Sequence, residues 1–193
     1  MKLTTLTEEQ ILSVYHDRME RDFPPAELKP TAWITDALHR GEYECLGAVE
    51  NGELLGYAFL AKAGRISLLD YLAVAQEKRN AGIGASILAL LRERPGSADC
   101  IVVETEDPDG AAGEEARLLQ DRRLHFYLRN GYRDTGVRTS LYGICYRILV
   151  SDAGQIADRS TVMIGREDVR QMYRALYGRV IPGDLYDQYI IIR

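Results

Sequence analysis

The sequence predicts an α/β domain with a mixed central sheet of about six to seven strands, helices on both faces and a C-terminal helical tail. Two features of the 193-residue chain support this prediction. Strand-like and helix-like segments alternate through its middle, which is typical of helices packed on a sheet. The last segment, 166–177, places apolar side chains on one helical face. We therefore expect a domain over residues 1–150 and an extension over 151–193 that packs on this domain or on a second subunit.

The N-terminal segment predicts two helices. Thr7 and Gln10 have the spacing of a capping box. The two prolines in 23–25 end the helix that follows, because proline removes a backbone donor. A second helix is expected over 31–39, since Gly41 lies just past its end.

Six strand-like runs and two further helices follow. The first two runs are joined by Asn51-Gly52, the pair preferred in type I′ hairpin turns. The runs are 43–50, 53–62, 65–74, 99–106 and two segments of 132–150 that meet near Gly143. One helix is expected to end at Pro95-Gly96, and another spans 114–129, ahead of Asn130-Gly131.

Charge and composition argue against several function classes. With 24 Lys and Arg against 29 Asp and Glu, the net charge of -5 disfavours nucleic-acid binding. No apolar run reaches the roughly 18–20 residues of a membrane span, and the first residues lack the apolar stretch of a signal peptide. The three Cys and three His are too scattered for a metal site, and the Cys contexts indicate buried, reduced thiols, with a cysteine nucleophile as the alternative. We expect a cytoplasmic protein that binds neither nucleic acid nor a membrane.

The glycine-rich turn Arg79–Gly84 separates the third strand from the next helix. A helix N-terminus offers free N–H groups and the positive end of a dipole, and glycines let the main chain close on an anion. An arginine adds a charge-assisted contact. The pattern therefore predicts a pyrophosphate site. It lacks the lysine of a Walker loop and the third glycine of a dinucleotide fold. A turn without a ligand is the alternative.

Two motifs together resemble the GNAT family of N-acetyltransferases. The Arg-x-x-Gly-x-Gly of this turn, after Leu72-Ala73-Val74, is similar to the family's coenzyme A pyrophosphate loop. The segment Phe126–Tyr132 is similar to the family's late helix and the aromatic residue after its glycine. The resemblance covers about residues 1–150. It implies a GNAT-like acyl-CoA N-acyltransferase fold with acetyl-CoA as the acyl donor.

The resemblance also implies which residues hold acetyl-CoA. Leu72 and Val74 bond the pantetheine arm through their main chains, and Gln120 stands where the family commonly has an asparagine. Ala81 departs from the basic residue or glutamine that is frequent at its position. The cofactor-binding residues predicted in this way are Leu72, Ala73, Val74, Arg79, Asn80, Ala81, Gly82, Ile83, Gly84, Gln120 and Tyr127.

Attack of an amine on a thioester requires an acid for the leaving thiolate and a base for the amine. Tyr127 stands at the family's tyrosine position and is the candidate acid; an aromatic core residue is the alternative. Asp70 and Glu104 interrupt apolar strands, where a carboxylate is costly unless it is paired or solvated. Both are candidate bases, and the alternative for each is a buried carboxylate tied to the backbone or to an arginine.

The sequence thus predicts an enzyme that moves an acetyl group from acetyl-CoA to a primary amine by direct attack in a ternary complex. Two alternatives are a non-catalytic acyl-CoA-binding sensor or scaffold, and an interaction protein that dimerises through its C-terminal helix. The acceptor is a small molecule or a peptide. Protein N-termini, lysines, polyamines, amino acids and amino-sugar antibiotics all stay open, as does a homodimer.

Overall fold

The computed structural model describes residues 1–94, 98–153, 162–179 and 181–193. The fold is mixed α/β, as predicted, and these described residues form eight strands where the sequence indicated six or seven. These strands are β1 (Lys2–Thr5), β2 (Tyr43–Glu50), β3 (Glu53–Ala63), β4 (Ile66–Val74), β5 (Cys100–Glu106), β6 (Arg133–Leu141), β7 (Ile144–Asp152) and β8 (Ile190–Ile192).

Helices precede, separate and follow the strands. The α-helices of the described residues are α1 (Glu8–Val14), α2 (Glu20–Asp22), α3 (Thr31–His39), α4 (Ile83–Glu93), α5 (Glu114–Arg129), α6 (Arg166–Tyr177) and α7 (Gly183–Tyr189). A π-helical segment, Tyr15–Met19, connects α1 to α2. The capping box predicted at Thr7 and Gln10 is present. The helix end predicted at Pro95-Gly96 lies outside the described residues.

Hydrogen bonds join the strands in the order β1-β2-β3-β4-β5-β7-β6-β8. β4 pairs with β5 in parallel through Ile66–Leu68 and Cys100–Val102. The pairs β1–β2, β2–β3, β5–β7, β6–β7 and β6–β8 are antiparallel. β1 and β8 account for the difference from the predicted number. They have four and three residues, which is too short for an alternating pattern to stand out.

The chain forms two compact units. The first consists of Met1–Lys62 and Leu69–Leu91, and the second of Ala63–Leu68 and Arg92–Arg193. β4 therefore contributes its first residues to the second unit and its remainder to the first. The predicted division into 1–150 and 151–193 rests on the extent of the family resemblance, and it stays a prediction.

In the first unit, β2 and β3 form the predicted hairpin. Asn51 and Gly52 have φ angles of 51° and 82°, in the left-handed region that a type I′ turn requires. Further along β3, Gly56 allows a close approach of β4 and α4. A Cβ at this position would lie 2.6 Å from the Ala73 carbonyl oxygen and 3.0 Å from Ile87 Cδ1. This packing fixes the end of β4 and the turn that follows it.

In the second unit, the C-terminal extension packs on the strands. β8 pairs with the end of β6, from Thr139↔Ile192 to Leu141↔Ile190. α6 buries the apolar stripe that the sequence indicated. The buried residues of this helix are Val169, Met172, Tyr173 and Leu176.

The cysteines differ from the expectation in one respect. Cys45 and Cys100 are buried, whereas Cys145 is exposed, because it lies at the exposed start of β7. Within the described ranges, no group of three or more His, Cys, Asp or Glu side chains is arranged to hold a metal ion. No helix in the part of the chain that the structure describes is long and apolar enough to cross a membrane.

Candidate functional site

The glycine-rich turn of the first unit has the backbone that an anion site needs. Asn80 and Gly82 adopt positive φ angles of 65° and 79°, and α4 begins at Ile83. The Ser86 N–H donates to the Gly82 carbonyl over 3.0 Å, so Gly82 stands at the helix start. The first N–H groups of a helix have no intrahelical partner. A Cβ added at Gly82 would meet no protein atom within 4 Å, so the space beside this glycine is open.

Arg79 at the head of this turn is held by protein groups. Its Nη2 lies 2.8 Å from Asp22 Oδ1, and its Nε donates to the Val74 carbonyl over 3.2 Å. Asp22 also accepts a hydrogen bond from the Tyr57 hydroxyl at 2.9 Å. The Arg79 side chain is about half exposed, whereas the Asp22 side chain is buried. The sequence did not reveal Asp22 as a partner, because 57 residues separate the two.

The predicted pantetheine segment, Leu72 to Val74, forms the last residues of β4 and is half-buried. The Ala73 carbonyl and the Val74 Cα lie close to Gly56 on β3, at 2.6 and 3.3 Å from the position of an added Cβ. The next residue, Ala75, donates its N–H to the Leu55 carbonyl over 2.9 Å. The main chain of this segment is therefore held in place by β3.

Asp70, one of the two candidate bases, is bound by a lysine and a tyrosine. Lys29 Nζ lies 2.6 and 2.7 Å from its two carboxylate oxygens, and the Tyr43 hydroxyl donates to Oδ2. The Asp70 side chain is 7% exposed. Burial and the nearby Asp70 charge raise the pKa of Tyr43 well above its usual value, so Tyr43 remains a donor. The ammonium also lies 5.4 Å from the ring centres of Trp33 and Tyr71. These contacts suit a structural ion pair.

In the second unit, α5 carries the first residues of the second family-like motif, Phe126–Tyr132. Gln120, Arg123 and Tyr127 follow one another at helical spacing and share one face of α5. Gln120 Oε1 is buried and has no hydrogen-bond partner among the described residues. The Tyr127 ring makes edge contacts with Phe126 and Tyr132 at centroid distances of 5.1 and 5.4 Å. Burial raises the pKa of Tyr127 to about 12, although Arg123 acts to lower it. Tyr127 is therefore a protonated phenol at neutral pH.

Glu104 lies on the face of β5 that also carries Glu106. Register places Glu106 beside Tyr146 of β7, and Tyr146 beside Thr139 of β6. Directly paired residues project to the same face of a sheet, and residues two apart along a strand share it. Arg123 Nη1 of α5 lies 3.1 Å from Glu106 Oε2, so one residue of the α5 face that carries Tyr127 reaches one residue of this β5 face. Tyr127, Gln120 and Glu104 all belong to the second unit.

Glu104 also contacts the C-terminal extension. It forms a hydrogen bond with Tyr173 of α6, whose hydroxyl is 2.9 Å from Thr139 Oγ1. The sequence did not connect these residues. Tyr173 belongs to the apolar stripe of α6, and a tyrosine within a buried stripe needs a partner for its hydroxyl. This requirement predicts that the Tyr173 hydroxyl has a hydrogen-bond partner, but it does not identify Glu104 as that partner.

Comparisons with known proteins confirm the family resemblance. The family model of the acetyltransferase (GNAT) domain matches residues 41–134. No curated protein is significantly similar to this sequence. A protein described as a GNAT-family acetyltransferase from Bacteroides thetaiotaomicron shares 19% identity with a TM-score of 0.68, covering 92% of this chain and 99% of its own.

Two further solved structures share the fold at lower similarity. A GNAT family acetyltransferase from Elizabethkingia anophelis, solved with acetyl-CoA bound, has 17% identity and a TM-score of 0.51, covering 78% of this chain and 97% of its own. An aminoglycoside 6'-N-acetyltransferase complexed with coenzyme A has 16% identity and a TM-score of 0.54, covering 79% of this chain and 97% of its own. At these identities the likeness establishes a common fold.

Proposed function

Because this chain carries a GNAT acetyltransferase domain across residues 41–134, we propose that it transfers an acetyl group from acetyl-CoA to a primary amine by direct attack in a ternary complex. One observation carries the proposal. Tyr127, at the family's tyrosine position, is a protonated and half-buried phenol, and Glu104 belongs to the same compact unit, on the strand face that carries Glu106, the partner of Arg123 of α5. An acid and a base for acyl transfer to an amine therefore belong to one compact unit.

Two features of the described residues fit acetyl-CoA. Gly82 has open space where a side chain would stand, at the start of α4, so main-chain N–H groups can approach a pyrophosphate. Gln120 Oε1 is buried without a partner in the described part of the chain, and an amide N–H of a pantetheine arm would satisfy it. Arg79 adds a positive charge beside the turn, while Asp22 fixes its direction. When bound, acetyl-CoA supplies the thioester carbonyl and a thiolate leaving group.

Tyr127 is the proposed acid. Its raised pKa of about 12 keeps the proton on the phenol at physiological pH. A thiol is a stronger acid than this phenol, so the tyrosine serves the thiolate chiefly as a hydrogen-bond donor and as a proton source during its departure. The edge contacts with Phe126 and Tyr132 hold the ring in one orientation.

Glu104 is the proposed base, in preference to Asp70. The Lys29 ammonium already contacts both oxygens of Asp70 and the Tyr43 hydroxyl donates to one of them, so this carboxylate is engaged by protein groups. Glu104 accepts a hydrogen bond from the Tyr173 hydroxyl and lies in the same compact unit as Tyr127, whereas Asp70 belongs to the other unit. We infer that Glu104 removes a proton from the incoming ammonium, directly or through a water molecule, before attack.

A thiol-release assay with a panel of amines tests the proposal. The purified protein is incubated with acetyl-CoA and, one at a time, a polyamine, an amino sugar, an amino acid, a lysine-containing peptide and a peptide with a free N-terminus. We expect at least one class to give amine-dependent thiol release and an acetylated product by mass. Tyr127→Phe should lose this turnover, whereas the matched control Tyr142→Phe, at an exposed position, should retain it.

The possible outcomes separate the proposal from its alternative. Acetyl-CoA binding by calorimetry, without thiol release for any amine class, would favour a non-catalytic sensor or scaffold. If acetyl-CoA does not bind, the assignment of the turn at Arg79–Gly84 is wrong. Retention of full turnover in Tyr127→Phe would remove Tyr127 from the mechanism while leaving the transfer reaction in place.

A further inference from the structure

Tyr173 of α6 connects the C-terminal extension to the candidate base. It is fully buried, and its hydroxyl is 2.9 Å from Thr139 Oγ1 and hydrogen-bonded to Glu104. Burial, followed by the charge and the hydrogen bond of Glu104, raises the pKa of Tyr173 well above its usual value. The phenol therefore keeps its proton. Since a carboxylate can only accept, Tyr173 donates to Glu104, and the Thr139 hydroxyl is free to donate to the Tyr173 oxygen.

The position of Tyr173 is fixed by the packing of α6. On this helix Val169 and Met172 are 0% and 1% exposed, beside Tyr173 itself at 0%. The start of α6 is tied to the same unit by Asp168, whose carboxylate is 3.3 Å from Arg65 Nη2. A buried aromatic ring in this setting has little rotamer freedom, so its hydroxyl is a preorganised donor.

We propose that Tyr173 is a positioning residue that orients the Glu104 carboxylate for proton removal, so that the C-terminal extension forms part of the active site. The inference rests on the proposed function, in which Glu104 is the base. The hydroxyl selects one side-chain rotamer of Glu104 and favours its ionised form, because a hydrogen bond donated to a carboxylate stabilises the charge. Among the described residues, Tyr146 of β7 and Tyr177 of α6 also face Tyr173, and Glu106 lies on the same face of β5 as Glu104.

Two measurements on Tyr173→Phe test the proposal. The first needs no cofactor: carbon-13 NMR of the glutamate carboxyl groups follows the titration of Glu104 in the free protein, with Glu104→Gln identifying its signal. We expect the Glu104 midpoint to move to higher pH when the hydroxyl is removed. The second is turnover against pH with an identified amine. We expect kcat to fall about 10- to 100-fold, the acidic limb to move in the same direction as the NMR midpoint, and the KM for acetyl-CoA to stay constant.

Two further variants make the result specific. Tyr186→Phe is the matched control, since Tyr186 is a buried tyrosine of the same extension, on α7; it should change neither the midpoint nor kcat. Thr139→Val removes the donor behind Tyr173 and should give a smaller shift in the same direction. If Tyr173→Phe does not fold, Thr139→Val still tests the chain of hydrogen bonds that runs from Thr139 through Tyr173 to Glu104.

The outcomes separate this inference from the proposed function. An unchanged Glu104 midpoint in Tyr173→Phe, with Glu104→Gln inactive, would overturn the positioning role and leave the base in place. A Glu104→Gln protein with normal turnover would instead remove Glu104 as the base, and the positioning role would fall with it. Equal loss of turnover in Tyr173→Phe and Tyr186→Phe would mean that the extension acts through stability alone.

Discussion

Replacement of Lys29 by methionine should destabilise the protein strongly, because it leaves the Asp70 carboxylate buried without its cation. The ammonium contacts both oxygens of Asp70 at 2.6 and 2.7 Å, and the Asp70 side chain is 7% exposed. Methionine keeps most of the length of the lysine side chain, whose ammonium lies 5.4 Å from the ring centres of Trp33 and Tyr71. The substitution therefore removes charge while preserving most of the packing.

The expected loss of unfolding free energy depends on how far the Lys29–Asp70 ion pair is exposed to water. Breaking a buried ion pair from one side costs about 3–5 kcal/mol of unfolding free energy. The Lys29 side chain is 21% exposed, so water can partly solvate the remaining carboxylate, and we expect the lower end of this range. For a chain of this size, about 3 kcal/mol corresponds to a fall in Tm of roughly 6–12 °C. Asp70→Asn should cost less, about 1–3 kcal/mol, because Tyr43 can still donate to the amide oxygen.

Urea unfolding of both single variants, the double variant and Lys2→Met measures these differences. Lys2 lies at an exposed position of β1, and its replacement should change stability by no more than about 0.5 kcal/mol. The double variant should be more stable than the sum of the single effects predicts, since it removes both charges. A Lys29→Met protein as stable as Lys2→Met would refute the structural role of the pair. A fall in turnover of about 10² or more in fully folded Asp70→Asn would make Asp70 the base instead.

Four further substitutions test the site and its support. Tyr127→Phe should lower turnover by about 10²–10⁴ with nearly unchanged cofactor affinity, and because burial raises the Tyr127 pKa to about 12, wild-type turnover should show no loss from its ionisation below about pH 11. Glu104→Gln should lose turnover in a way that shrinks as pH rises toward the amine's own pKa; a loss that is flat across pH would contradict the base role. Gly82→Val should abolish acetyl-CoA binding in calorimetry, and retained affinity would remove the turn from the cofactor site. Gly56→Ala should cost about 1–3 kcal/mol in urea unfolding, because its Cβ would lie 2.6 Å from the Ala73 carbonyl oxygen; unchanged stability would mean that β3 can shift freely.

The sequence predicted the elements whose signals are local. The capping box at Thr7 and Gln10 and the turn at Asn51-Gly52 are both present, because each depends on a few adjacent side chains and their backbone angles. β1 and β8 escaped prediction because each is stabilised by a partner strand far away in the chain: β1 by β2 and β8 by β6. Their own residues carry little periodic signal.

The candidate site was predicted from local signals of the same kind. The turn at Arg79–Gly84 and the position of Tyr127 follow from short motifs. Partners across the fold could not be found in this way. Lys29 is 41 residues from Asp70, and Asp22 is 57 residues from Arg79. A lone carboxylate in an apolar strand indicates that some partner exists, but single-sequence reasoning cannot state whether that partner is a lysine, a tyrosine or a substrate.

The short strand β8 covers one edge of β6. The main chain of Arg138 exchanges hydrogen bonds with Arg193 at 3.1 and 2.7 Å, and the Tyr142 N–H donates to the Tyr189 carbonyl at 3.0 Å. These contacts occupy the edge of β6, which would otherwise offer a row of unpaired donors and acceptors to a neighbouring molecule. The covering strand has three residues, too few to recruit a further strand with much affinity. Proteolytic removal of the residues after Tyr189 would uncover this edge, and β-type aggregation, rather than loss of the remaining fold, is the hazard that it would create.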